Sequence, residues 1–331
     1  MKVVATDGFA MGEHFYDNAK VRFKEAGIDF VQANCKTDAE VIEACKDADG
    51  IIVSFNSMAA DVVNNIPNLK IIARTGVGVD VVDQEACSKK GVFVCNVPDY
   101  CMDEVATHAM ALILASVRKI AIYDRQSRNK GVWDCSYAYK MHRLSTRTLG
   151  IIGFGKISQK LATFAKAFGL TIIASDPITS AEVMAEYGVE KVEQDELFAR
   201  ADIISLHVPL NRFTHHLINK DAFAKMKDGV IIVNTARGPV ICLEDLIEAL
   251  KSGKVGAVGL DVIENEPLED VNAEILKYEN VIVTPHAAFQ SVEADLQLCD
   301  DLVTMSIDRL EGRIPKNVVN KKGLEEYGLY K

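Results

Sequence analysis

Short β-branched runs alternate with longer amphipathic stretches along this chain, and they do so in two successive series. In the first, the pattern predicts strands at residues 2–5, 29–33, 50–54, 70–74 and 92–95. In the second, it predicts strands at 149–153, 170–175, 202–207, 229–234, 255–261 and 280–284. Runs such as Ile51-Ile52-Val53 and Val230-Ile231-Ile232-Val233 have no polar face. Strands of that kind must be covered on both sides, which is the condition of a parallel sheet between two helix layers. Between them lie helical stretches such as 38–46, where Val41, Ile42 and Cys45 share one face. The expected fold class is therefore α/β, with two doubly wound parallel-sheet domains.

Two further helical stretches, 103–118 and 291–310, look like connectors, and the second strand series lies between them. We therefore expect one domain inserted into another. Residues 1–102 and 291–331 form the outer, substrate domain, and residues 103–290 form the inserted domain with its connector helix. At 331 residues the chain is long enough for both at the usual ~150 each. A cleft between the halves is the natural ligand site.

Composition narrows the function class. Apolar residues at 49% and charged residues at 25% give a chain with a substantial core, not a disordered one. No apolar run approaches the ~20 residues that span a bilayer. The first residues offer neither the apolar stretch nor the cleavage site of a signal peptide, so a cytoplasmic location is expected. A net charge of −10 argues against nucleic acid or an anionic membrane as partner. The eight cysteines contain no C-x-x-C and match neither zinc-site spacing nor a disulfide framework. They read as small core residues, with Cys101 and Cys135 the two expected at the surface, and no metal is expected.

The strongest local signal is Gly150-Ile151-Ile152-Gly153-Phe154-Gly155-Lys156-Ile157-Ser158, which leaves a predicted strand and opens a predicted helix at 157–168. In a G-x-G-x-x-G turn the first glycine, Gly153, permits the tight bend. The second, Gly155, lets the backbone approach a pyrophosphate at a helix N-terminus. The third place holds Ser158, which adds one hydroxymethyl where helix and strand pack. Eighteen residues further on, the next strand ends in Asp176. A carboxylate there accepts hydrogen bonds from ribose hydroxyls and repels a 2′-phosphate, so the expected cofactor is NAD.

Three more strand ends carry chemistry. Val233-Asn234-Thr235-Ala236-Arg237-Gly238-Pro239 offers a guanidinium suited to clamping a carboxylate. Gly259-Leu260-Asp261-Val262-Ile263-Glu264-Asn265-Glu266-Pro267 is loaded with carboxylates, and Thr284-Pro285-His286-Ala287 supplies an imidazole. A carboxylate beside a histidine orients the ring and favours its charged form, giving an acid/base near neutrality. With an arginine beside them, these are the groups needed to reduce a 2-keto acid.

These motifs, in this order, resemble the D-isomer-specific 2-hydroxyacid dehydrogenases, with formate dehydrogenases and the C-terminal binding protein corepressors as relatives. The resemblance runs from about Asp49 to Val318. It implies a flavodoxin-like substrate domain and an inserted Rossmann NAD-binding domain. It also implies that Arg237 binds and polarises substrate, that His286 is the proton donor and acceptor, and that Glu266 pairs with it. Gly76, Val77 and Gly78 would present backbone N–H groups to the substrate carboxylate. Thr107, Gly153, Gly155, Lys156, Ile157, Asp176, Val208, Pro209, Thr214, Thr235, Ala236 and Asp261 would line the NAD site.

The departures bear on substrate. Glu266 stands where formate dehydrogenases carry glutamine, which argues against formate. The stretch 50–56 has no positive charge to grip a phosphate, which argues for an unphosphorylated acid. Phe55, Tyr100, Met102 and Phe289 are candidates for an apolar side-chain pocket. Of the other histidines, His108 reads as a packed helix residue, His215 and His216 as structural loop residues, and His14 and His142 as solvated. Family members dimerise through an arm after the first connector helix, which places the single tryptophan, Trp133, at a homodimer interface. The expected function is an NAD-dependent oxidoreductase for a small 2-keto acid and its D-2-hydroxy acid. The rivals are hydroxypyruvate or glyoxylate reduction within the class, and an NADH-sensing corepressor-like binding protein outside it.

Overall fold

The computed structural model describes every residue except 9, 10, 13, 139, 140, 269 and 271. The chain divides into two compact units: Met1–Cys101 with Gln290–Lys331, and Met102–Phe289.

The first unit is built on five strands, β1 (Lys2–Ala5), β2 (Asp29–Gln32), β3 (Gly50–Val53), β4 (Ile71–Arg74) and β5 (Phe93–Cys95). They pair in parallel in the order β2-β1-β3-β4-β5, the flavodoxin-like winding. The central strands explain why. Ile51, Ile52, Val53, Ile71 and Ile72 are all fully buried, so both faces of the sheet need a helix layer. One covering helix, Val292–Leu310, returns from the far end of the sequence to pack on β4 and on helix Asp17–Glu25. It starts where the Ser291 hydroxyl accepts a hydrogen bond from the Ala294 N–H at 2.9 Å, a serine N-cap.

The second unit holds seven strands: β6 (Thr148–Ile152), β7 (Thr171–Ser175), β8 (Glu190–Lys191), β9 (Ile203–Leu206), β10 (Val230–Asn234), β11 (Val255–Leu260) and β12 (Val281–Val283). All pair in parallel, in the order β12-β11-β10-β9-β6-β7-β8. The winding reverses between β6 and β9, and ligands bind at such switch points, outside the carboxyl ends of the strands. Helix Met102–Val117 lies against β10, β11 and helix Lys156–Ala167. It is apolar because it buries Val105, Ala106, Ala109, Met110, Leu112 and Ile113 there. Among the described residues no single helix is long and apolar enough to cross a membrane. Ile113 and Phe154 are wholly buried, each contributing roughly 1.5–3 kcal/mol over exposure.

The differences from expectation are local. Strand β8 was not expected: it is two charged residues at a sheet edge, paired to β7 alone, and carries no apolar signal. Predicted strand 255–261 stops at Leu260, because the Asp261 carboxylate turns to the chain after β12. The helix expected at 157–168 opens one residue early, at Lys156, with Gly155 as its N-cap. Cys101, expected at the surface, is 3% exposed; Cys135 is exposed, and all eight cysteines are free thiols.

Candidate active site

Strand register brings the chemical residues together. Asn234, the last residue of β10, pairs with Leu260, the last of β11, and Leu260 pairs with Val283, the last of β12. Arg237, Glu266 and His286 therefore leave three neighbouring strands at the same edge of the sheet. A cavity of about 280 Å³ lined by Arg147, Asp202, Lys227 and Gly256 lies at the opposite, amino-terminal edge and is not part of this site.

The His286 Nδ1 is 3.0 Å from Glu266 Oε1. Its backbone is fixed as well. His286 holds a left-handed backbone, φ 53°, and its N–H donates to the Asp261 carbonyl at 2.8 Å and the Thr284 carbonyl at 3.0 Å. The Asp261 carboxylate, 2% exposed, accepts from Thr284 Oγ1 at 2.6 Å and from the Ala287 and Ala288 N–H groups at 2.9 and 3.0 Å. His108 Nε2 lies 3.0 Å from Thr284 Oγ1 and 3.5 Å from Asp261 Oδ1. A non-glycine residue in that conformation costs of order 1–3 kcal/mol and persists only where its surroundings impose it. This buried carboxylate and its donors do so. The resemblance places Asp261 among the cofactor contacts, and His108 reads from sequence as simple packing; the structure ties both to Thr284, two residues before His286. The one signal for His108 is a lone imidazole in an otherwise apolar helix segment.

Asn234 shapes the Arg237 turn. Its side-chain amide donates to the Arg237 carbonyl at 2.9 Å, and its oxygen accepts from the Ala236 N–H at 3.0 Å. The half-buried Arg237 guanidinium donates to the Ala236 carbonyl at 2.7 Å. Gly238 then runs directly over Ile263 and Glu264: a Cβ there would fall 2.1 Å from the Ile263 carbonyl carbon. Only glycine permits that approach, which seats the Arg237 turn on the segment leading to Glu266. The Phe289 ring meets the His286 ring edge-on at 6.3 Å.

The nucleotide turn fits a dinucleotide on three observations. Gly153 has φ 86°, and a Cβ on it would sit 2.6 Å from the His207 carbonyl oxygen, whereas a Cβ on Gly155 would meet open space. Helix Lys156–Ala167 has no side-chain cap, so the first-turn N–H of Ile157 is available to an anion. Thr235 Oγ1 is a buried hydroxyl with no partner among the described residues. Ser158, fully buried, donates from Oγ to the Gly153 carbonyl at 2.7 Å and so braces the bend that a glycine would leave unbraced. Burial tends to raise the Asp176 carboxyl, but N–H groups of Phe154, Thr179 and Ile178, each at 2.7 Å, together hold it below the usual carboxylate range.

The remaining expected contacts are more dispersed. Thr214 uses its hydroxyl on the Pro209 carbonyl at 2.6 Å, in the loop that follows Val208. Thr107 is exposed and donates to the Asp103 carbonyl at 2.7 Å. His207, unweighed in the sequence, lies 2.8 Å from Ser205 Oγ, and burial pushes it down to about 4.

In the first unit, β4 runs into Thr75-Gly76-Val77-Gly78. Gly76 has φ 130° and its carbonyl accepts from the Val97 N–H at 3.0 Å, while Asn96 donates to the Val77 carbonyl at 2.6 Å. The N–H groups of Val77 and Gly78 donate to nothing among the described residues. Two successive free N–H groups in such a turn suit an anion. Phe55 is 55% exposed, and its N–H donates to Asp7.

Residues 110–288 match the family model for the D-isomer specific 2-hydroxyacid dehydrogenase, NAD binding domain. The chain is 44% identical over 266 residues to a hydroxypyruvate reductase of Thermotoga maritima, covering 80% of this chain and 85% of that one. It is 42% identical over 298 residues to a D-3-phosphoglycerate dehydrogenase of Methanocaldococcus jannaschii, covering 89% of this chain but only 56% of that longer relative. Among solved structures it is similar to D-lactate dehydrogenase from Aquifex aeolicus complexed with NAD and lactic acid. That match has a TM-score of 0.82 at 30% identity and covers 97% of this chain and 98% of the other.

Proposed function

The chain belongs to the D-isomer-specific 2-hydroxyacid dehydrogenases, and from that premise we propose that it is an NAD-dependent oxidoreductase interconverting a small unphosphorylated 2-keto acid and its D-2-hydroxy acid. The observation that carries this reading is the 3.0 Å contact between His286 Nδ1 and Glu266 Oε1, three residues past one strand end and beside the Arg237 turn.

NAD would be held by the Gly153–Ser158 turn, Asp176, Thr235 and Ala236, with Thr107, Val208, Pro209 and Thr214 around it. When bound in reduced form, it supplies the hydride that adds to C2 of the keto acid. The chain's own groups do the rest. Arg237 forks onto the substrate carboxylate and polarises the keto oxygen. The Val77 and Gly78 N–H groups bind the same carboxylate. Glu266 accepts a hydrogen bond from the His286 Nδ1–H and orients the ring, so the proton for transfer is held at Nε2 and passes to the C2 oxygen as it gains charge. Asp261 fixes the backbone from which the ring projects and acts on substrate only through it.

Within the class, hydroxypyruvate is favoured by the activity in the name of the Thermotoga relative. The phosphorylated acid of the Methanocaldococcus relative is disfavoured, because residues 50–56 carry no cation. Trp133, 94% exposed on the single chain, supports a homodimer through the segment after helix Ile120–Lys130. A cytoplasmic location accords with eight free thiols.

The test is NADH consumption with pyruvate, glyoxylate, hydroxypyruvate, 2-ketoisocaproate, phenylpyruvate and 3-phosphohydroxypyruvate. Strong preference for one unphosphorylated acid supports the reading. Silence throughout, with NADH still bound, transfers it to the sensing protein.

A further inference from the structure

His215 and His216 are adjacent in sequence, and in an extended chain their side chains would point apart. Here His216 adopts a left-handed backbone, φ 51°, and the turn brings both rings to one side, with centroids 4.0 Å apart and planes tilted by 31°. The backbone that presents them is tied down. The His216 N–H donates to the Pro239 carbonyl at 2.8 Å, and the Asn219 amide donates to the His216 carbonyl at 3.0 Å. Opposite them stands Glu264, whose Oε1 is 2.6 Å from His216 Nε2. Its other oxygen accepts from the Leu243 N–H at 3.1 Å, which orients the carboxylate towards the rings. One ligand atom from each of the three side chains lies within 4.8 Å of the other two.

Two imidazoles tilted together and facing one carboxylate bring two nitrogen donors and an anionic oxygen close to one another, which suits a single dication. We propose that His215, His216 and Glu264 form a binding site for a single divalent transition-metal ion of the zinc class, with further coordination positions open to water. The donor set, two nitrogens and one oxygen, suits Zn²⁺, Co²⁺ or Ni²⁺ better than Ca²⁺ or Mg²⁺, which take oxygen ligands. At metal–ligand distances near 2.1 Å, ligand atoms around a tetrahedral ion sit roughly 3.4 Å apart, so on binding the His216–Glu264 pair, now 2.6 Å apart, opens by roughly 0.8 Å while the separations to His215, within 4.8 Å, close by up to roughly 1.4 Å. The exposed His215 side chain can supply the closing movement, and the opening asks only a small rotation of the His216 ring or the Glu264 carboxylate.

The ion would join two segments that the sequence keeps far apart: the loop around His215 and His216, and the Ile263–Glu264 stretch that follows β11. The last of these lies two residues before Glu266, and Gly238, next to Arg237, packs on it. The cysteine spacing gave no reason to expect a metal, and these two histidines read from sequence as structural. The site does not depend on the proposed reaction, and its test reads binding, not turnover.

The full chain, stripped of metal with a chelator and then freed of it, is titrated with Co²⁺ alone and the visible d–d bands are followed, with Zn²⁺ as competitor. We expect one Co²⁺ per chain, displaced by Zn²⁺, without the near-ultraviolet band of thiolate ligation. His215→Ala removes an exposed ligand, His216→Asn removes another while tolerating the left-handed turn, and Glu264→Gln removes the charge. Loss of an outer-shell partner typically weakens metal binding by roughly 10–100-fold, and each of these is expected to do at least that. Cys135→Ser is expected to change nothing. The proposal is overturned if the folded parent binds no Co²⁺, if His215→Ala binds it unchanged, or if a thiolate band appears and goes with Cys135→Ser.

Discussion

At the scale of single residues, Arg237 and His286 have separable roles. In the proposed reaction Arg237 meets the substrate, so Arg237→Ala would remove a charge-assisted hydrogen bond. That loss is about 1.5–3 kcal/mol, or roughly 10- to 150-fold in kcat/KM. NADH affinity, measured by fluorescence titration, should stay within error of the parent; an equal fall in NADH affinity would move Arg237 to the cofactor. His286 needs a different substitution, because alanine would be strained at φ 53°. His286→Asn keeps the backbone and cannot carry the proton, and kcat should fall roughly 10²–10⁴-fold with substrate KM little changed. His207 adds a pH effect of known sign. Burial takes it from an ordinary 6.5 down to about 4. Between those values the unfolded chain binds a proton that the folded chain refuses. Its contribution is therefore complete above about pH 6.5 and declines as pH falls towards 4. Urea midpoints across that window should fall less steeply in His207→Gln; parallel profiles would show that His207 charges freely in the folded protein.

At the scale of elements, the nucleotide turn separates folding from binding. Gly153 is held by backbone geometry, while Gly155 is held by what must approach it: a side chain there meets no protein atom within 4 Å. Gly155 is also the N-cap, with φ −82° and ψ −169°, a conformation serine adopts readily. Gly155→Ser should cap the helix and leave stability unchanged or raised by a few tenths of a kcal/mol. The same hydroxymethyl would occupy the anion's place, and NADH affinity should fall at least about tenfold, or 1.4 kcal/mol. Calorimetry of NADH binding beside a thermal melt checks both halves; unchanged NADH affinity would place the pyrophosphate elsewhere. The turn was legible because glycine spacing is a local signal, and so were the buried strands, whose apolar runs are contiguous. Glu190–Lys191 was not, since edge pairing needs no apolar residue. Nor was the carboxylate clamp of Asp261 on Ala287 and Ala288, or the contact of His216 with Glu264. Those partners lie on different strand ends, and only the sheet order makes them neighbours. Cys101 is buried because its segment closes the first unit, which no local pattern announces.

At the scale of the whole molecule, two units of different winding come from one chain, the second inserted before the last two helices of the first, Val292–Leu310 and Lys321–Glu326. Such an arrangement is legible from sequence because each unit repeats its own strand–helix rhythm, and the connectors are longer helices. What a rhythm cannot show is which surfaces remain uncovered. Trp133 is 94% exposed on the single chain and is the only tryptophan, so intrinsic fluorescence reports on that one position. Tyr137, 44% exposed, lies nearby in sequence, while Tyr123 donates to the Cys135 carbonyl at 2.8 Å and so ties this segment back to helix Ile120–Lys130. An indole held in place but facing water leaves a large apolar area unburied, and a second copy of the chain is the occupant the proposed dimer supplies. The dimer should therefore show blue-shifted emission that moves to the red on dilution, in step with a fall in sedimentation coefficient. Trp133→Lys should sediment as a monomer while NADH affinity is retained. Red emission at all concentrations, with a monomeric sedimentation profile, would remove the dimer and leave Trp133 as a solvent-facing residue for which another partner must be sought.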